Sequence, residues 1–389
     1  MLFKNHVFKP ADGVQLLRSG KDYFSRLEQL IDNAVFSIHL QVYIFDLDQT
    51  GTIILQKLIA ASRRGVSVYL VVDGYASPHI TPSILLSLKS EGIFVKRFAP
   101  FHYKSLKIGR RLHHKIVLVD EQIAIIGGIN IADKYSGYNA HTPWLDVAIE
   151  MQGKACADVK TICYTIWPKR IRKKWEKTSI PVVSLQEQYQ VSLAQNDWWR
   201  RKIEISKTYR DMIRKSQSEL TLMASYFLPG FRKRLLLKKA SERGVQVSII
   251  LGGVSDIPLM KPAMHYLYSV LCKNNIAIYE WMPSVLHGKM AIADKHLTTI
   301  GSYNMNALSD YGSLELNVNV ESSVFASSSS AFLQQIIKEG CFQVNASRYR
   351  YRPYSLRHAY RFMCFQLLRL SQFILFVMMR RDRMSQRHM

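Results

Sequence analysis

One motif occurs twice in this chain with the same internal spacing, and it constrains the fold more than any other feature. Both copies read H-x-K-x4-D-x6-G-[GS]-x-N. Their residues are His113, Lys115, Asp120, Gly127 and Asn130 in the first copy, and His287, Lys289, Asp294, Gly301 and Asn304 in the second. Composition alone does not reproduce so many spaced identities, so the pattern predicts one active site built from two related halves.

The repeat extends from the motif to its scaffold. Residues 61–68 (ASRRGVSV) are echoed by residues 240–247 (ASERGVQV), and each segment predicts a helix that ends at a glycine before a buried strand. Further strands are predicted to end near Phe45 and Phe227. The order strand, helix, strand, loop, strand with motif predicts an α/β fold. A chain of 389 residues that is 48% hydrophobic is long enough for two such units.

These landmarks divide the chain into four segments. We expect a first half over residues 1–155, a basic linker with tryptophans over 156–205, a second half over 206–340 and a basic, aromatic tail over 341–389. The five cysteines show neither a CxxC pair nor metal-ligand spacing, which indicates a reducing compartment. Residues 1–17 lack the apolar core of a signal peptide and a stretch that could cross a bilayer. We therefore expect a cytoplasmic protein that contacts a membrane from its surface.

The net charge of +24 predicts an anionic partner, either nucleic acid or an anionic lipid surface. Residues 356–379 are compatible with a helix that is apolar in its second half but is interrupted by Arg361, Gln366, Arg369 and Gln372. This pattern favours a helix that lies in a membrane interface over one that spans the bilayer. The alternative is a terminal helix that packs its apolar side on the protein body and leaves its arginines in solvent. The basic run at 167–177 (WPKRIRKKWEK) suits lipid head groups or, alternatively, an ordinary solvated face.

The motif residues suit chemistry at a phosphodiester. In a strand, alternate side chains share a face, so H-x-K projects its histidine and lysine to the same side, and the glycine turn that follows places Asn130 or Asn304 beside that lysine. One histidine of the pair can attack phosphorus while the other protonates the leaving alcohol, and the lysines and asparagines stabilise charge on the non-bridging oxygens. Because the cations belong to the chain, we expect no metal and no cofactor. Asp120 and Asp294 lie beyond the apolar run, so we expect these two members of the motif to be structural hydrogen-bond or ion-pair partners.

The doubled motif resembles that of the phospholipase D superfamily, and the wider chain resembles the bacterial cardiolipin synthases, most closely the smaller B type that lacks an N-terminal transmembrane pair. The resemblance extends over roughly residues 12–345. Its flanking matches are YIF at 43–45, VDGY at 72–75, WWRR at 198–201 and ASYFLPG at 224–230. The resemblance implies an α/β sandwich of two similar halves, related by a pseudo-twofold axis with the active site between them. It also implies a covalent phosphohistidine that is released by an alcohol or by water.

The resemblance further implies a role for individual residues. An acid downstream of each motif is expected to accept a hydrogen bond from a catalytic histidine and to fix its tautomer, and by position the candidates are Asp146 and Glu315. His113 is implied as the nucleophile and His287 as the acid, although the near symmetry of the site makes either order chemically feasible. Gly128 stands where the second copy has Ser302, so a hydroxyl contact to phosphate is expected from the second half only.

The implied activity is that of a cardiolipin synthase bound to the cytoplasmic side of the cell membrane. It would transfer a phosphatidyl group, from phosphatidylglycerol or phosphatidylethanolamine, to the glycerol hydroxyl of phosphatidylglycerol. A phospholipase D-type phosphodiesterase that hydrolyses phospholipid or nucleic acid is the alternative, since the same site cleaves both. Nucleic acid is the weaker choice because the aromatic residues cluster with an apolar helix and form no evident base-stacking groove. A non-catalytic lipid-binding protein is disfavoured because both copies retain histidine, lysine and asparagine.

Overall fold

The computed structural model describes residues 7–100, 110–138, 142–169, 171–172, 188–349 and 355–387, with side chains as far as residue 378 in the last segment. Its strands are β1 (Lys9–Ala11), β2 (Gly13–Arg18), β3 (Ser37–Val42), β4 (Ser67–Asp73), β5 (Phe94–Phe98), β6 (Arg111–Leu112), β7 (Lys115–Val119), β8 (Ile123–Gly127), β9 (Val147–Gln152), β10 (Tyr189–Asp197), β11 (Lys202–Ile203), β12 (Glu219–Ala224), β13 (Gln246–Gly252), β14 (Ala277–Trp281), β15 (Met290–Ala293), β16 (Leu297–Gly301), β17 (Ser313–Glu321) and β18 (Cys341–Gln343). Its helices are α1 (Lys21–Asn33), α2 (Gln49–Arg63), α3 (Pro82–Ser90), α4 (Asp133–Ser136), α5 (Cys156–Tyr164), α6 (Glu204–Lys215), α7 (Phe231–Glu242), α8 (Met260–Lys273), α9 (Ala307–Tyr311), α10 (Ser323–Gly340) and α11 (Leu356–Arg387).

The strands form two sheets that repeat one topology. The first sheet has the order β2-β9-β8-β7-β3-β4-β5, and the second contains the run β10-β17-β16-β15-β12-β13-β14. Three strands run parallel in each sheet: β3, β4 and β5 in the first, and β12, β13 and β14 in the second. An antiparallel meander follows, and its first strand, β7 or β15, begins at or directly after the motif lysine. The predicted α/β fold of two similar halves is therefore confirmed.

The two sheets pack face to face around one shared hydrophobic core. Ile116, Ile126 and Ile149 of the first sheet lie in the same buried cluster as Met290 and Leu316 of the second. The outer faces are covered separately, by α1 and α2 on the first sheet and by α6, α7 and α8 on the second. Both motif strands are buried on both faces, which explains their continuous apolar sequence. The sandwich thus brings the leading ends of β7 and β15 to the interface between the halves.

The helix stops predicted from the repeat are present in both halves. Gly65 follows α2 with φ 94°, and Gly244 follows α7 with φ 88°. In each case the next residue donates its N–H back to the last turn of the helix, as in a Schellman motif. A left-handed backbone favours glycine at both positions, so the chain reverses into β4 and β13 at equivalent places.

The segment 156–205, which the sequence predicts to be a linker, contributes to the shared core and to the second sheet. Its first part forms α5, whose Val159 and Cys163 are buried in the shared core. Its last part contains β10, which pairs antiparallel with β17 over seven residue pairs and also with β1. The second sheet therefore recruits strands from well before residue 206, while much of the basic run at 167–177 lies outside the described residues.

The C-terminal helix α11 packs on α8 and leaves an apolar face exposed. Cys364 and Phe365 are buried, and the Phe365 ring lies 4.9 Å from that of Tyr266. Residues 356–378 are long and apolar enough to cross a membrane when judged by length and composition alone. The segment therefore meets the length and hydropathy of a spanning helix despite the polar interruptions that favour an interfacial one. The remainder of the helix presents large apolar side chains at its surface: Met363, Leu367, Leu370, Phe373 and Ile374.

Candidate active site

The two motif histidines lie where the halves meet, and each is anchored to the opposite half through its backbone. His113 follows β6, which pairs in parallel with the start of β17, and its N–H donates to the carbonyl of Leu314 at 3.0 Å. His287 is related by the pseudo-symmetry, and its N–H donates to the carbonyl of Leu145 at 2.7 Å. Each leucine immediately precedes one of the candidate acids. The main chain therefore sets the distance between each histidine and the carboxylate of the other half.

The candidate acids pair with the histidines across the interface. His113 Nδ1 lies 2.8 Å from Glu315 Oε2, and His287 Nδ1 lies 2.6 Å from Asp146 Oδ2. Both carboxylates are fully buried, while the histidine side chains retain 13% and 6% of their exposure. An Nδ1–H that donates to the carboxylate leaves Nε2 unprotonated in the neutral ring. The pairing thus leaves Nε2 of each neutral histidine with a free lone pair, as a nucleophile or a base requires.

The Ser302 hydroxyl, expected at the phosphate, serves Glu315 in this structure. Ser302 Oγ donates to Glu315 Oε2 at 2.5 Å and accepts from the backbone N–H of Leu316 at 3.1 Å. Ser309 Oγ donates to the other carboxylate oxygen at 2.7 Å. In the first half a Cβ on Gly128 would come within 2.3 Å of Asp146 Oδ1. The first half therefore has Gly128 against the shorter side chain of Asp146, and the second half has Ser302 against the longer side chain of Glu315.

The motif lysines are buried beside the histidines. Lys115 Nζ donates to the His113 carbonyl at 2.5 Å, and Lys289 Nζ donates to the His287 carbonyl. Burial, together with the charge of Lys289, lowers the pKa of Lys115 to about 7, and burial lowers that of Lys289 to about 8. An anionic ligand between them would favour their charged forms. Two ammonium groups are thus held at one place, where they can bind a phosphodiester.

The two motif asparagines occupy different surroundings. Asn130 Oδ1 accepts from the N–H of Ile44, and its Nδ2 donates to the Tyr135 hydroxyl, so its amide is engaged with the scaffold. Asn304 is buried, and its Oδ1 has no hydrogen-bond partner among the described residues. Of the two amides, that of Asn304 is the one left available to a ligand in this conformation.

Asp120 and Asp294 lie at the far end of the motif strands, where they close tight hairpins. Both residues have a left-handed backbone, with φ of 50° and 51°, and each begins the three-residue loop of its hairpin. The Asp120 carboxylate accepts N–H groups from residues 35, 36 and 37, and that of Asp294 accepts them from residues 217, 218 and 219. These contacts tie each hairpin to the neighbouring strand of the same sheet, as a structural role requires.

Aromatic rings surround the histidines, and the sequence reasoning assigned them no part in the site. Tyr43 packs edge-on against His113 at 4.9 Å, with Lys115 Nζ 5.2 Å from the same ring centroid. Tyr226 packs against His287 at 6.0 Å. Tyr43 is the first residue after β3, whereas Tyr226 is the second after β12, so the two tyrosines do not occupy equivalent positions of the repeat. Two further rings contact His287 alone, those of Tyr135 and Trp144.

Electrostatics distinguish the two histidine–acid pairs. Burial lowers the pKa of His113, although Glu315 opposes the change. Burial and the two motif lysines lower the pKa of His287 further. Burial also raises the pKa of Asp146 to about 7, against the opposing charge of Lys289. Burial thus disfavours the charged forms of both His287 and Asp146, so a proton between them belongs to the pair and not to either residue.

This arrangement agrees with what the chain matches among known families. The family model described as "Cardiolipin synthase, PLD-like domain" matches residues 27–147 and again residues 209–337, which together are more than half of the chain. The chain belongs to this family. It is accordingly an enzyme of the phospholipase D superfamily, and each matched segment contains one motif.

Curated relatives and solved structures give the same result. Cardiolipin synthase B of Escherichia coli K12 is 29% identical over 345 residues, which is 87% of this chain and 83% of that protein. The minor cardiolipin synthase ClsB of Bacillus subtilis strain 168 is 27% identical, over 85% and 83% of the two chains. The crystal structure of phosphatidylserine synthase from Haemophilus influenzae Rd KW20 superposes with a TM-score of 0.74 at 14% identity and covers 96% of this chain and 97% of that one. That likeness confirms the fold.

Proposed function

We propose that this enzyme is a cardiolipin synthase that transfers a phosphatidyl group to phosphatidylglycerol through a phosphohistidine on His113. The observation that carries the proposal is the crossed pairing of two histidines with two buried carboxylates beside two buried lysines. This arrangement would supply a nucleophile, an acid–base and a cationic phosphate site at the interface between the halves. The relatives named cardiolipin synthase support phosphatidylglycerol as the acceptor.

In the first step His113 Nε2 attacks the phosphorus of the donor lipid. The bond from phosphorus to the head-group oxygen breaks, and that oxygen receives a proton from His287 Nε2. The incoming phosphodiester adds a negative charge that offsets the two lysines, which favours the protonated form of His287. Lys115 and Lys289 stabilise the charge that develops on the non-bridging oxygens, and the Asn304 amide is a further candidate for that contact.

In the second step the glycerol hydroxyl of phosphatidylglycerol gives its proton to His287 and attacks phosphorus. The N–P bond to His113 then breaks and cardiolipin leaves. With phosphatidylglycerol as donor the alcohol released in the first step is glycerol, and with phosphatidylethanolamine it is ethanolamine. Water in place of the acceptor would give phosphatidic acid, so the outcome depends on how well an acceptor lipid fills the site.

A peripheral position on the cytoplasmic face of the cell membrane suits these substrates. The basic chain and the apolar outer face of α11 support binding to an anionic bilayer surface. Both substrates would then reach the pocket from the same leaflet. Nucleic acid fits the outer face of α11 less well, because its exposed aliphatic side chains, Leu367, Leu370 and Ile374, suit acyl chains better than stacked bases.

The test is to incubate the purified enzyme with vesicles of radiolabelled phosphatidylglycerol and separate the lipids, with His113→Ala as the control. Cardiolipin and free glycerol from the parent enzyme alone are expected. Phosphatidic acid as the main product would make the enzyme a lipid hydrolase. Equal cardiolipin formation by His113→Ala would refute the proposed nucleophile, and the absence of any lipid product would refute the synthase.

A further inference from the structure

A cleft of 620 Å³ lies between the N-terminal end of α7, the short helix α9 and the C-terminal helix α11. We call it the α11 cleft. Its lining contains none of the motif residues, but it combines aromatic rings with arginines: Phe231, Phe373, Phe376, Arg210, Arg232 and Arg369. This size is typical of a pocket for a small ligand, and this composition suits a ligand that is apolar at one end and anionic at the other.

The charge around the α11 cleft is strongly positive. Asp310, the one acid among its described lining residues, lies 2.8 Å from Lys233 Nζ and is paired with it. A groove of 450 Å³ between α6 and α7 continues from the cleft and shares Arg210 and Arg232 with it. The groove adds three further cations, and its acid, Asp211, pairs with Arg214 at 2.9 Å. The combined surface therefore attracts an anion.

The apolar wall of the cleft continues onto the outer face of α11. Phe373 lines the cleft and is also 60% exposed, and Leu370 and Ile374 beside it are 53% and 49% exposed. Contiguous exposed side chains of this size mark a contact with lipid or protein. Arginines next to such an apolar face match the junction between the head groups and the acyl chains of an anionic bilayer.

We propose that the α11 cleft binds one molecule of an anionic phospholipid as a second, non-catalytic lipid site. The arginines would hold its phosphate, and its acyl chain would lie along Phe373 and Phe376 toward the bilayer. Free phosphate has no apolar part to contact the aromatic wall. A zwitterionic lipid has no net negative charge to balance the excess of arginines. The inference extends the membrane-bound state proposed above, but it does not depend on the reaction.

The wall formed by α9 also touches the active site, which limits the choice of test variants. Asp310 and Tyr311 line the cleft, while Ser309, next to them on α9, donates its hydroxyl to Glu315. Substitutions in α9 would therefore disturb the partner of His113. The arginines of α6, α7 and α11 can be replaced without touching that hydrogen bond.

The experiment is calorimetric titration with a short-chain phosphatidylglycerol below its micelle concentration. Every protein carries His113→Ala, so that turnover adds no heat. The test variant combines Arg210→Gln, Arg232→Gln and Arg369→Gln. The matched control combines Lys238→Gln, Lys273→Gln and Lys338→Gln, which removes equal charge from exposed positions of the same half outside the cleft. Phe373→Ser, at an exposed position, tests the apolar wall separately.

The arginine variant should bind one lipid fewer than the control, or its second lipid should bind at least about tenfold more weakly. Either change follows from the loss of charge-assisted hydrogen bonds to phosphate. Phe373→Ser should weaken the same event. Lipid bound at the active site contributes equally to all variants. An active site that binds no phosphatidylglycerol would therefore lower every stoichiometry by the same amount. Three results would overturn the lipid site: equal losses in test and control variants, equal binding of short-chain phosphatidylcholine, or displacement of the lipid by inorganic phosphate.

Discussion

His113 and Glu315 lie 202 positions apart in the chain, yet His113 Nδ1 and Glu315 Oε2 are 2.8 Å apart. The pair of His287 and Asp146 repeats this relationship in the opposite direction at 2.6 Å. Each half therefore supplies one histidine and the carboxylate that pairs with the other half's histidine. Both pairs form only when the two sheets have packed together.

Removing the negative charge from either acid should reduce turnover with little change in the fold. In Glu315→Gln and Asp146→Asn the neutral amide cannot stabilise the imidazolium and can select the other ring tautomer. A comparable change in a histidine–aspartate pair lowers kcat by about 10⁴-fold, and we expect a loss of that order for each variant. Steady-state kinetics with circular dichroism would check this, and near-parental kcat in either variant would contradict the orienting role.

The motif aspartates should affect stability and leave catalysis unchanged. Asp120→Ala and Asp294→Ala each leave three backbone N–H groups without their acceptor, which should lower the free energy of unfolding by about 1–3 kcal/mol. The side-chain amide of asparagine keeps one acceptor oxygen, which can still accept the two N–H groups that Asp120 Oδ1 binds, so Asp120→Asn should recover part of this loss. Urea unfolding measures the effect. A large fall in kcat of the folded enzyme, with unchanged stability, would instead place these residues in the reaction.

The duplicated sequence was sufficient to predict the two halves and to name most of the residues that the structure brings together in the candidate site. The spacing of the repeated residues depends on local structure. The helices that end at Gly65 and Gly244 need glycine at a left-handed backbone position, and the hairpins at Asp120 and Asp294 also need particular residue types at left-handed positions. Such signals are short-range, so they can be recognised in one sequence. The fold class followed because the two copies repeat them in the same order.

The crossed pairing could not be predicted in this way, since it depends on contacts between distant segments. Which acid meets which histidine is decided by the parallel pairing of β6 with β17 and by the bridge between Leu145 and Leu286. The direction of the Ser302 hydroxyl likewise depends on the buried carboxylate of Glu315. The sequence of β10 carries no repeat signal, so it falls within the predicted linker. The sheet shows that β10 pairs with β17 and β1.

The activity should have a narrow pH optimum near neutrality. The nucleophile must be neutral, so kcat/KM falls as the pH drops through the pKa of His113, which burial lowers below its ordinary 6.5. His287 must carry its proton and the lysines must be charged, so kcat/KM falls again as the pH rises, at the latest through the lysine pKa values of about 7 and about 8. Kinetics on monomeric short-chain lipid would give the profile. A kcat/KM that is constant across and above those two values would exclude the buried lysines as the phosphate site.

The two histidines should be distinguishable by the leaving group of the donor. His287→Ala removes the proposed acid, so transfer from phosphatidylglycerol should fall by about 10²–10⁴-fold. A phosphatidyl ester of p-nitrophenol needs no proton for its leaving group, so its burst of p-nitrophenolate should survive in His287→Ala. The same burst should be absent from His113→Ala. If the burst survives in His113→Ala and is lost from His287→Ala, the two roles are reversed.

The outer face of α11 should govern membrane binding independently of the fold. Leu367, Leu370 and Ile374 are about half exposed, whereas Phe365 on the opposite face is buried against α8, so deleting the helix would uncover the core. Replacing the three exposed residues by glutamine removes the apolar face and keeps that packing. Sedimentation with vesicles of phosphatidylcholine and phosphatidylglycerol should show at least about a tenfold loss of binding, since each buried apolar side chain contributes roughly 1.5–3 kcal/mol. Glutamine at the exposed positions Lys238 and Lys273 is the control, and equal sedimentation of all three proteins would mean that this face has only a structural role.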